Sequence, residues 1–111
     1  MKQKVLAFDI DGVICHTLGS DYKNSKPNKK AIEKINHLYD SGNIIIIFTA
    51  RFMGRTDNDY KKAYELGYKF TLIQLQSWNL KFNELILGKP SFDLLIDDKA
   101  FNYDESWIEK I

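Results

Sequence analysis

Four short apolar runs recur along the chain, and each stops at polar residues of a reactive type. KVLAF runs into DID, IIIIF into TAR, LIL into GKP and DLLI into DDKA. Continuous apolar runs, unlike alternating ones, suit strands covered on both faces, and so predict a mainly parallel sheet with helices between its strands. The first connection, PNKKAIEKINHLYDSGN, reads as a helix. Pro27 can open it, Ile32, Ile35, Leu38 and Tyr39 form its apolar stripe, and Gly42 stands where a stop belongs. After Thr49 a looser helical region, TDNDYKKAYELG, puts Tyr60 and Tyr64 on one face before Gly67 interrupts it; a second helical piece runs from about Phe70 to Trp78. The tail, DESWIEKI, starts at a cap-like Asp104 and carries Trp107, Ile108 and Ile111 at helical spacing. The pattern predicts one α/β domain over residues 1–111.

Composition narrows the classes. With 111 residues, 44% hydrophobic and 28% charged, the chain has ordinary globular makeup and little material for a second lobe. A net charge of +1 without a long run of one sign argues against a nucleic-acid partner or a membrane-surface helix. Cys15 is the only cysteine, which excludes an internal disulfide. No apolar run approaches the roughly 18 residues that cross a bilayer, and the start is too polar for a secretory core. A cytoplasmic location is therefore expected.

Reactive chemistry collects at one place in such a fold. Sites in open parallel sheets form outside the carboxyl ends of the strands, which gathers Asp9, Asp11, Thr49, Lys89, Asp97 and Asp98 at one edge. Residues two apart on an extended chain point the same way, so Asp9 and Asp11 can face one point while Ile10 turns into the core. Two like charges at the lip of an apolar core repel, and a divalent cation would offset that cost. Carboxylate and carbonyl oxygens suit Mg²⁺.

With these residues in place, the chain resembles the haloacid-dehalogenase-like superfamily of phosphohydrolases. Asp9-Ile10-Asp11-Gly12-Val13 matches its DxDx[TV] motif, and Ile44 to Thr49 its apolar strand ending in Ser or Thr. Lys89 matches its lysine, and Leu94 to Asp98 its apolar strand ending in an acidic pair. Val13 stands where many members have Thr. The resemblance implies a Rossmann-like three-layer sandwich without a cap domain, because the stretches after the first two motifs are too short to hold one. It further implies a Mg²⁺-dependent phosphomonoesterase. Asp9 is then the nucleophile and Asp11 the acid and base. Thr49 and Lys89 steady the phosphoryl group, Gly12 and Arg51 contact substrate, and Asp9, the Asp11 carbonyl and Asp98 hold Mg²⁺ while Asp97 orients Lys89. TAR, QLQSWNLKF and GKPSFDLLIDDKA look like a smaller group of phosphatases of capsule and surface-polysaccharide biosynthesis, which implies a sugar phosphate or related intermediate as substrate.

Competing readings attach to several positions. Arg51 suits a second anionic group on the substrate or, equally, a structural ion pair. Arg55, Lys99 and His37 read as solvated or structural, His16 as a flanking residue and Cys15 as packing. Tyr60, Tyr64, Trp78 and Trp107 follow apolar spacing and read as core. An open site admits larger phosphoesters, of nucleic acid or protein, unless the 13–26 flap or a neighbouring subunit of a homo-oligomer covers it. The non-enzyme alternative is a silent Mg²⁺- and phosphate-binding module.

Overall fold

The structure, a computed structural model, describes residues 2–111. Its centre is a parallel sheet of β1 (Val5–Phe8), β4 (Ile44–Thr49) and β5 (Glu84–Leu87) in the order β1-β4-β5. Val5 pairs with Ile44, and Thr49 with Leu87, so these three predicted strands end at one edge. A two-stranded antiparallel ribbon, β2 (Cys15–His16) and β3 (Lys26–Pro27), forms the flap after β1.

Helix α1 (Lys29–Asp40) starts two residues later than Pro27 predicts. Pro27 lies in the ribbon, and Asn28 is the cap, its side chain accepting from the Ala31 N–H at 3.2 Å. Ile32 and Ile35 are buried and Leu38 and Tyr39 partly so, as the stripe requires. The two helical pieces expected on either side of Gly67 are one helix, α2 (Tyr60–Ser77), capped by Asp59. Gly67 is a packing device: the Phe52 ring lies against its α-carbon, in the space a Cβ would need. Tyr60 and Tyr64, expected in the core, are exposed, and Tyr64 instead stacks on Tyr68 at 4.6 Å. Trp107 is buried in the short α3 (Trp107–Lys110) against Phe8, with ring centroids 5.4 Å apart.

Both crossovers step the same way across the sheet, and right-handed crossovers then place both helices on one face. Ile45 and Ile47, two apart on β4 and fully buried, share a single core with Ile35 of α1 and Leu75 of α2. The opposite face, carrying Val5, Ile46 and Phe48, is partly open, and Val5 is 63% exposed. A second covering layer is thus not built from the described residues. Nor does DLLI form a strand: residues 90–105 are exposed throughout and carry no regular structure. No helix is long and apolar enough to cross a membrane among the described residues.

Candidate active site

The two acids follow β1 in a tight turn. Ile10 is fully buried, and its carbonyl accepts from the N–H groups of Val13, Ile14 and Cys15 at 3.1, 2.8 and 3.3 Å. Gly12 sits at φ +88°, a conformation that favours glycine, and lets the chain reverse. Its N–H donates to the Cys15 carbonyl at 2.9 Å and is not turned toward a ligand, as the substrate-contact reading of Gly12 requires.

Each acid meets its own cation. Asp9 accepts from the Ile10 N–H at 2.8 Å through Oδ1, and its Oδ2 lies 3.4 Å from Lys89 Nζ. The Asp9 side chain remains 37% exposed. Lys89 is aimed by the end of β5: its own N–H donates to the Thr49 carbonyl at 3.2 Å. Lys89 Nζ also stands 5.7 Å from the centre of the Phe92 ring.

Asp11 is held by a different set of partners. Its Oδ1 accepts from Thr17 Oγ1 at 2.6 Å and from Arg51 Nη2 at 2.9 Å, while Oδ2 accepts from Arg51 Nε at 2.9 Å. Burial alone would raise the Asp11 carboxyl; hydrogen bonds from Arg51 and Thr17, with the Arg51 charge, outweigh it and hold the group below its ordinary value. Arg51 is 1% exposed. It also donates from Nη1 to Gln74 Oε1 at 2.6 Å and lies 4.7 Å from the centre of the Tyr22 ring. Of the two readings of Arg51, the structure forms the ion pair, and the guanidinium has no open path to a substrate anion. The like charges of Asp9 and Asp11 are therefore offset by two cations of the chain itself.

Thr49 is buried at the end of β4, where its hydroxyl accepts from the Arg51 N–H at 3.1 Å. Cys15 is buried, and burial pushes its thiol up, with the Asp11 carboxylate adding to that. A thiol held protonated fits the packing role and not a nucleophile. Arg55 donates to the Ser20 carbonyl at 3.1 Å and lies over the Phe52 ring at 4.6 Å, so it fastens the flap. Gln74 Nε2 fastens it too, donating to the Tyr22 carbonyl at 2.7 Å. His16 and His37 are exposed.

Asp97 and Asp98 are not brought to this cluster. Both lie in the exposed 90–105 segment, where Asp97 accepts from the Lys99 N–H at 2.9 Å. DLLI pairs with neither edge of the β1-β4-β5 sheet, so its acids are not delivered to Asp9 or Lys89. The donor set for Mg²⁺ is accordingly incomplete: no three His, Cys, Asp or Glu side chains among the described residues could hold a metal together. Of the expected donors, Asp9 and the Asp11 carbonyl follow β1, while Asp98 lies apart in the exposed 90–105 segment. The residues gathered within one chain do not fit a magnesium ion.

Thr17, Ser25, Tyr22 and Gln74 complete the cluster without having been singled out in the sequence. Gln74 left a faint sign, as the first residue of the QLQSWNLKF stretch that carries the closer resemblance. Thr17 and Ser25, joined at 2.6 Å across the flap, left none.

No family model matches the sequence, and no curated protein matches it. A crystal structure of a structural-genomics target from Vibrio cholerae is similar to this chain. The two share 26% sequence identity over 97% of this chain and 95% of the other, with a TM-score of 0.82. The likeness covers nearly the whole of both chains and extends to the overall fold.

Proposed function

We propose that the chain is a phosphomonoesterase of the haloacid-dehalogenase-like, capless type, acting on a small phosphorylated metabolite such as a sugar phosphate of surface-polysaccharide biosynthesis. One observation carries this reading: a partly exposed carboxylate, Asp9, stands at the carboxyl edge of a parallel sheet with Lys89 3.4 Å away. That pairing leaves an oxygen able to attack and a cation able to receive charge.

In the first half of the reaction an Asp9 oxygen bonds to phosphorus as the bond from phosphorus to the leaving oxygen breaks. Lys89 offsets the charge on the phosphoryl oxygens. In the second half water attacks phosphorus, the bond to Asp9 breaks, and inorganic phosphate leaves with the carboxylate restored. Asp11, held ionised by Arg51, suits taking the proton from that water. It does not suit protonating a leaving alcohol in this arrangement. The leaving oxygen of a sugar phosphate therefore takes its proton from water at the open site, and an ester whose leaving group departs without a proton should turn over faster. Magnesium becomes a fitting cofactor once an acidic pair stands beside Asp9 and the Asp11 carbonyl.

The saturation of Asp11 by Arg51 and Thr17 favours one other reading, a silent phosphate-binding module. Turnover separates the two. The parent should hydrolyse an aryl phosphate faster than an alkyl phosphate, Lys89→Ala should lose about 10²–10³-fold, and Asp9→Asn should be inactive. Phosphate binding without turnover of either ester by the parent would establish the module instead.

A further inference from the structure

Among the described residues thirteen large hydrophobic side chains are exposed, and six of them fall within twelve residues: Phe92, Leu94, Leu95, Ile96, Phe101 and Tyr103. Ile96 is 90% exposed. Soluble chains rarely leave such a cluster uncovered. Meanwhile β1 is an edge strand, paired only with β4, and its Val5 is exposed as well. One chain thus holds a bare apolar segment and a bare sheet edge.

The two share a pattern. VLAF runs into Asp9 and Asp11, and DLLI runs into Asp97 and Asp98. Aligned in parallel, with Leu95 beside Ala7 and Ile96 beside Phe8, the acids of both segments meet at the same edge. The donor set missing for Mg²⁺ would then be present.

The segment cannot reach its own β1 this way. Leu87 pairs with Thr49 at the top of the sheet, while Val5 pairs with Ile44 five residues lower. The open edge of β1 lies three strand spacings from β5, about 14 Å, and the parallel start beside Val5 lies about 16 Å down. The direct line is about 21 Å, and six residues from Leu87 to Asp93 span at most about 20–22 Å. That line runs through β4 and β1 themselves. A path around the sheet is longer than the chain allows.

We propose that a second copy of this chain supplies the missing strand. In a two-fold dimer, Phe92–Asp98 of each copy adds in parallel to β1 of the other, and each active site takes its acidic pair from the partner. Exchange of an identical segment is self-complementary, so one operation covers both arms and both edges. The dimer itself stands apart from the phosphatase reading; only the shared active site rests on it.

The test uses the full chain with magnesium present. Ala7→Cys/Leu95→Cys, treated with a short bis-maleimide, should give covalent dimers in denaturing gels, and co-expressed single variants should do the same. Each single variant alone should not, since Cys15 is 3% exposed and out of reach of the reagent. Linkage only within one chain, or none, would overturn the exchange. So would a monomer in light scattering of the unaltered chain at micromolar concentration. Co-expressed Asp9→Asn and Asp97→Asn/Asp98→Asn chains, each inactive alone, should regain about a quarter of parental aryl-phosphate turnover, one live site in each mixed dimer. Dimers that link and an inactive parent would retain the exchange and reject the phosphatase. An active parent without complementation would reject the shared site.

Discussion

The Asp11 cradle and the 90–105 segment are both built from residues a strand delivers, yet they end up in opposite physical states. In the cradle, Thr17, Ser25, Arg51 and Gln74 come from the flap, the loop after β4 and α2, and hydrogen-bond one another around a half-buried carboxylate. The 90–105 segment has more apolar side chains than the cradle but no neighbour to pack them against. Apolar character alone does not order a segment; a partner edge or face must be within reach of the chain.

The largest expected effect lies in the cradle. Asp11→Ala leaves the Arg51 charge buried and unpaired, and should cost about 3–5 kcal/mol in urea unfolding. Its pH dependence has a definite sign. A carboxyl held below its ordinary value in the folded chain contributes stability that is present above about pH 4, and that is lost as the pH falls through the lower folded value. The parent's unfolding midpoint should therefore drop in acid below about pH 4. Asp11→Asn should start lower and drop less. An identical acid profile in the variant would show that the ion pair is idle.

A smaller effect should appear in the brace behind the cradle. Phe52 packs on Gly67 and on Tyr22, their ring centroids 5.0 Å apart, and Tyr22 in turn carries Arg51. Helix propensity favours Gly67→Ala by about 1 kcal/mol. The added methyl meets the Phe52 ring, so the variant should instead lose about 1–3 kcal/mol. A more stable Gly67→Ala would mean that the brace is slack.

The smallest effect belongs to the exposed segment. Ile96→Ser should change the stability of the dilute chain by less than about 0.5 kcal/mol. It should, however, abolish any rise of the unfolding temperature with protein concentration. A large loss in the dilute variant would show that Ile96 is already packed within its own chain.

Much of this was legible in the residues. VLAF, IIIIF and LIL became strands because each finds a parallel neighbour across a connection that contains a helix. DLLI has the same composition, but an apolar run does not reveal which edge will receive it. Of the site, the junction of Asp9 with Lys89 followed from strand ends alone. The Asp11–Arg51 pair did not, because its partners lie 40 positions apart and charge type cannot say whether an arginine turns inward or outward. Gly67 looked like a break because its spacing carries no trace of the ring packed on it.

The central claim is that Asp9 carries a phosphoryl group. Intact-mass measurement after rapid mixing with an excess of aryl phosphate, with acid quench, tests it most directly. The account predicts a phosphorylated parent, with the added mass mapping to the peptide that contains Asp9, a larger fraction in Asp11→Asn because water is no longer activated, and none in Asp9→Asn. Turnover by a parent that never gains mass, or a phosphorylated Asp9→Asn, would contradict it.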